Sequence, residues 1–75
     1  MILKDFLKEY VDKFQDIQIF NAKTSQALTC RSYLEGGSPA FKSDIESYGL
    51  YKVFGVGPMK DAEGEVFLAI TVLSD

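Results

Sequence analysis

The chain has 75 residues, 47% of them apolar and 25% charged, with a net charge of −3. That length fits one domain, the composition excludes a disordered chain, and the acidic balance argues against nucleic-acid binding through phosphate neutralisation. Seven lysines and one arginine, Arg31, are scattered along it, and the absence of histidine removes Ser-His-Asp and Cys-His catalysis and the commonest metal ligand.

Ile2, Leu3, Phe6, Leu7, Tyr10, Val11 and Phe14 recur at intervals of three and four. The spacing predicts an amphipathic helix over residues 2–14. Lys4, Asp5, Lys8, Glu9, Asp12 and Lys13 fill its polar side, with Asp5–Lys8 and Glu9–Lys13 spaced for favourable pairs. So short a helix is marginal alone, so its stripe must dock on a sheet.

Residues 16–21 alternate, with Ile17 and Ile19 inward, and read as a first strand. A turn over residues 21–26 leads to a second alternating run, 27–34, closing a hairpin. Leu28, Cys30 and Leu34 share one face of it, and Thr29, Arg31 and Tyr33 the other. The Gly36-Gly37 pair breaks the pattern. Ser38 then caps a short helix with Pro39 at its first position, or the helix starts at Ser43 with Glu46 completing a capping box. Phe41, Ile45 and Tyr48 form its apolar side, and Gly49 takes a left-handed C-terminal position.

Residues 50–56 read as a third strand, with Tyr51 and Val53 on one face and Lys52, Phe54 and Val56 on the other. Gly55 and Gly57 suggest a bulge or the close approach of another backbone, and Pro58 ends the ladder or marks an edge. After a turn over residues 60–64, Val66, Leu68, Ile70 and Val72 share one face of a last strand, while Phe67, Ala69, Thr71 and Leu73 share the other. A strand apolar on both faces is central or has its second side covered. The expected fold is α+β in the order α-β-β-α-β-β: one domain over residues 1–75, with a four-stranded antiparallel sheet and one long helix packed on a face. Leu3, Phe6, Leu7, Tyr10 and Phe14 would meet Ile17, Ile19, Leu28, Leu68 and Ile70 in its core.

The single Cys30 cannot form an intramolecular disulfide or a thiolate zinc site, and reads as a small buried apolar residue in a protein of the reducing cytoplasm. No apolar run approaches the ~18 residues that mark a membrane span, and the charged N-terminal pattern is not that of a signal peptide. Asp61, Glu63 and Glu65 read as a solvated turn rather than a calcium loop. Neither glycine-bearing stretch has a phosphate-cradling spacing. No catalytic residue, metal ligand or cofactor is expected, and the chain reads as a non-enzyme.

Phe20, Tyr33, Phe54, Val56 and Phe67 are left on outward strand faces and form the candidate partner-binding set. Large bare apolar patches are rare on monomers. A protein partner or a second copy in a homodimer would cover this one, or the second helix and the sheet's twist do so.

Leu3-Lys4-Asp5-Phe6-Leu7, then Ile17-Gln18-Ile19-Phe20-Asn21 with its polar turn, then Ile45-Glu46-Ser47-Tyr48-Gly49-Leu50-Tyr51-Lys52-Val53 before an apolar terminal strand form a pattern over the whole chain. It resembles small uncharacterised accessory proteins of bacterial phages and mobile elements. The resemblance implies a protein that binds host or phage machinery, anti-CRISPR inhibitors being one such group, and transfers no functional residue.

Overall fold

The computed structural model describes residues 1–74. Five elements follow in order: α1 (Leu3–Tyr10), β1 (Ile17–Asn21), α2 (Pro39–Tyr48), β2 (Lys52–Lys60) and β3 (Val66–Leu73). The sheet has three strands in the order β1-β3-β2, with β1 parallel to β3 and β2 antiparallel to it. Central β3 is as its two apolar faces predict. The expected four-stranded antiparallel sheet and single long helix are not found among the described residues.

The missing strand is residues 27–34. They do run beside the outer edge of β1, bridging Phe20 with Ala27 and Ile17 with Ser32. Between those bridges one backbone bond remains, Leu28 N to the Ile19 carbonyl at 2.8 Å, and a side chain supplies the return partner. The buried Thr29 Oγ1 accepts the Ile19 N–H at 3.2 Å, and Gln18 Nε2 donates to the Thr29 carbonyl at 3.0 Å. Thr29 Oγ1 also donates to the Cys30 carbonyl. Threonine hydroxyls compete with backbone partners in this way, and here the competition bends the segment out of strand geometry. Cys30 is consequently exposed, not buried.

The first helix stops at Tyr10, four residues short of Phe14. Val11 is extended, and Asp12 Oδ1 accepts the Phe14 N–H at 2.8 Å, a local turn that replaces helical bonding. Lys13 therefore meets Glu35 at 2.9 Å rather than Glu9. Leu3 and Leu7 reach the core, whereas Tyr10 and Phe14 remain 66% and 64% exposed. The helix has no side-chain cap. Its free N–H groups meet carbonyls at the end of α2 instead: Leu3 N donates to Tyr51 O and Lys4 N to Gly49 O. Gly49 is right-handed, not left-handed as expected, with φ −59°. Its role is proximity, because a Cβ there would lie 3.2 Å from the Ile45 carbonyl oxygen and 3.4 Å from Lys4 Cβ.

Ser38 does cap α2, accepting the Phe41 N–H, with Pro39 opening the helix. Both helices cover one sheet face. Leu3, Leu7, Ile17, Ile19, Phe41, Ile70 and Val72 form the buried core, ringed by half-buried Phe6, Val11, Leu28, Ile45 and Tyr48 among others.

Candidate functional site

The register places the predicted partner-binding residues on different surfaces. Phe54 is the extra residue of a bulge: Val53 faces Val72 while Gly55 already faces Thr71. The bulge inverts the expected alternation of the rest of β2. Val56 pairs with Ile70 and Pro58 with Leu68, on the helix-bearing face, whereas Gly55, Gly57 and Met59 pair with Thr71, Ala69 and Phe67 on the second face. Phe20, opposite Thr71, also lies on the second face.

Phe54 is 69% exposed and Val56 44% exposed, with Met59 and Val66 also exposed nearby on the hairpin. Phe20 is half-buried, and Tyr33 is exposed on the irregular segment beside β1. Phe67 is only 5% exposed. Its cover is Arg31, whose guanidinium carbon stands 5.1 Å from the ring centroid, a cation–π geometry.

Arg31 is held in turn by the β2–β3 turn. Its Nη1 donates to Asp61 Oδ2 at 2.8 Å, and Nε lies 3.8 Å from Asp16 Oδ2. The other Asp61 oxygen accepts the N–H groups of Glu63 and Glu65, each at 2.9 Å. The Arg31 hydrogen bond, followed by those backbone donors, holds the Asp61 carboxyl below the usual carboxylate range. Asp61 reciprocally raises the Arg31 guanidinium, with Asp16 and Glu65 adding to its field. Among the described residues no group of three or more Cys, Asp or Glu is placed to hold a metal ion.

Beyond Phe67 the second face opens into a groove of about 280 Å³ lined by Phe20, Asn21, Ala22, Ser25, Met59, Ala69 and Thr71. Small side chains make its floor, and Phe20 and Met59 stand on the flanking strands. Two of its polar groups are already engaged. Asn21 Oδ1 accepts the Lys23 and Thr24 N–H groups, and Thr71 Oγ1 donates to the Gly55 carbonyl. The groove can therefore receive an apolar group. Of its lining only Phe20 belongs to the predicted set. Ala69 and Thr71 lie on the second face that the period-two pattern gives them, whereas Met59 is reached only because β2 continues past residue 56 to Lys60.

The outer edge of β2 is the other open feature. Its first part is covered by the N-terminal residues, where Val53 N donates to the Met1 carbonyl at 2.9 Å. Val53 thus turns its backbone outward, and alternation through the bulge turns Val56, Pro58 and Lys60 outward as well. Pro58 has no N–H to offer there. No helix among the described residues is long and apolar enough to cross a membrane. Comparisons with protein-family models, with curated proteins and with solved structures found no match for this chain.

Proposed function

We propose that this chain is a non-enzymatic protein-binding module whose partner seats on the exposed apolar side chains of the β2–β3 hairpin, centred on Phe54. The observation that carries the reading is the bulge. It presents a 69% exposed phenylalanine on an edge strand, with exposed Val56 and Val66 in the same hairpin. Exposed aromatics on a rigid element are frequent interface anchors. The resemblance to phage and mobile-element accessory proteins directs the search for the partner to host machinery, which the module would inhibit.

A homodimer built by pairing β2 edges is the weaker reading. Antiparallel pairing about Val56 would need the whole outer edge, whose first part is already occupied by residues 1–3. Pro58 would also remove a donor from that edge.

The test uses Phe54→Glu. A partner captured from the native host should be lost by this variant while its thermal unfolding matches the wild type. Retention of the partner removes Phe54 from the interface. Light scattering over a concentration series distinguishes the readings: a wild-type dimer that Phe54→Glu dissociates would establish self-association instead.

A further inference from the structure

Gly57 is a glycine that no local constraint explains. A glycine inside a strand weakens it by roughly 0.5–1 kcal/mol. Its φ is not in the left-handed region, and a Cβ built there would meet nothing within 4 Å. What its missing side chain does is keep the second sheet face low. Gly57 lies opposite Ala69 and between Gly55 and Met59 on that face, beside residues that line the groove. Glycine in a strand marks a place where something else approaches the backbone.

The groove's surroundings say what that is. Its volume, about 280 Å³, is just below the ≈ 300 Å³ at which whole small-ligand pockets begin, and suits a single side chain. At the Phe67 end, Asp61 and Asp16 lie 2.8 and 3.8 Å from Arg31 and Glu65 adds to the field on it, so three carboxylates stand near one guanidinium. Glu63 lies in the same turn, while the cation Lys23 stands in the turn at the opposite end. The Phe67 end therefore carries a local negative excess.

We infer that this groove recognises an apolar side chain of a partner protein that has a lysine or arginine next to it. The apolar group lies over Gly57 and Ala69 between Phe20 and Met59, and the cation faces Asp16 and Glu65. This site is on the face opposite Val56 and does not depend on the Phe54 surface.

The test is a methyl NMR titration of the full chain with three capped dipeptides: N-acetyl-Leu-Lys-amide, N-acetyl-Leu-Glu-amide and N-acetyl-Ser-Lys-amide. The leucyl-lysine probe should shift the Met59 and Ala69 methyl signals saturably. The leucyl-glutamate probe should bind about fivefold more weakly, the scale of an exposed charge pair, and the seryl-lysine probe should leave both methyls unmoved. Gly57→Val should keep the amide spectrum and abolish the shifts, and Phe54→Glu should leave them intact. Equal affinity for all three probes, unmoved Met59 and Ala69 signals with leucyl-lysine, or undiminished binding by folded Gly57→Val would overturn the proposal. The wild-type comparison decides the matter even if Gly57→Val does not fold.

Discussion

The two edges of the sheet face the same hazard and meet it differently. An edge strand exposes unpaired backbone groups that invite another chain. At β1 the hazard is removed by cover. Residues 26–32 supply backbone partners to Asn21, Ile19 and Ile17, with Thr29 Oγ1 standing in where the ladder skips. At β2 only the first part is covered, by Met1–Leu3. The remainder is blunted by a bulge at Phe54, a proline at an outward position and exposed Lys60. Covering consumes side chains, and the covered edge shows few exposed apolar residues. Blunting stops backbone pairing but leaves side chains such as Phe54 and Val56 in solvent. The difference teaches that β2 is built to refuse a strand while still offering an apolar surface.

Both edges hang on β3, so the largest effect should come from its centre. Ile70 is fully buried and faces Ile19 on one side and Val56 on the other. Ile70→Ala should cost about 2–5 kcal/mol, a large share of the stability of a small domain. Urea unfolding reads the loss, and amide exchange should rise at β1 and β2 together. A rise confined to one strand would show that the edges do not depend on a shared centre.

Thr29→Val comes next and separates the edges. It keeps the shape but leaves the buried Ile19 N–H without the acceptor that it now meets at 3.2 Å. An unsatisfied buried donor costs about 1–3 kcal/mol. Exchange should accelerate at Ile19 and Leu28 and stay unchanged over residues 56–60. If residues 27–34 tightened into a regular strand instead, stability would be kept and the account of Thr29 would be wrong.

The sequence carries the elements whose pattern comes from burial. Central β3, the inward Ile17 and Ile19, and the Ser38–Pro39 start of α2 are all readable, because apolar periodicity and capping chemistry are local. What is not readable is set by single polar contacts. Asp12 ends α1 early through one hydrogen bond accepted from the Phe14 N–H. Thr29 converts an alternating run into an irregular one. The parallel pairing of β1 with β3 follows from which neighbour occupies which edge, a non-local outcome that period-two alternation does not encode. At the candidate site Phe54 is exposed, but one inserted residue reverses the faces of everything after it and puts Val56, expected on the outward face, on the helix-bearing one. Phe67 does lie on the second face, but its alternation gives no sign of the cover, since Arg31 arrives from 36 positions away in the sequence.

Pro58→Val probes the blunted edge directly. The substitution restores an outward N–H on a strand whose groups at Val56 and Lys60 also point outward. Folding stability should stay within about 0.5 kcal/mol, as for most surface changes. Association should change more: sedimentation velocity should show larger species growing with concentration. A variant that sediments as the wild type does would mean that the Phe54 bulge and Lys60 suffice to blunt the edge.

The smallest effect should come from an ion pair that ties the two edges together. Arg31 belongs to the segment covering β1, and Asp61 to the turn that ends β2, joined at 2.8 Å. Asp61 is held below its ordinary value of 3.8, first by Arg31 and then by the Glu65 and Glu63 N–H groups. A carboxyl whose pKa is lower when folded binds its proton more readily when unfolded. Its stabilising contribution is therefore complete above the ordinary value, and is lost as pH falls through the depressed one. Both partners keep substantial solvent contact, so screening makes the effect slight. Asp61→Asn should lower the urea midpoint a little at neutral pH and flatten the acid limb of the stability profile. High salt should shrink the gap between variant and wild type. Arg31→Leu should behave differently: it keeps an apolar cover over Phe67 while removing the charge, so it should lose the same acid limb yet retain slow exchange at Phe67. Rapid exchange at Phe67 in Arg31→Leu would assign the cover to the guanidinium itself rather than to apolar packing.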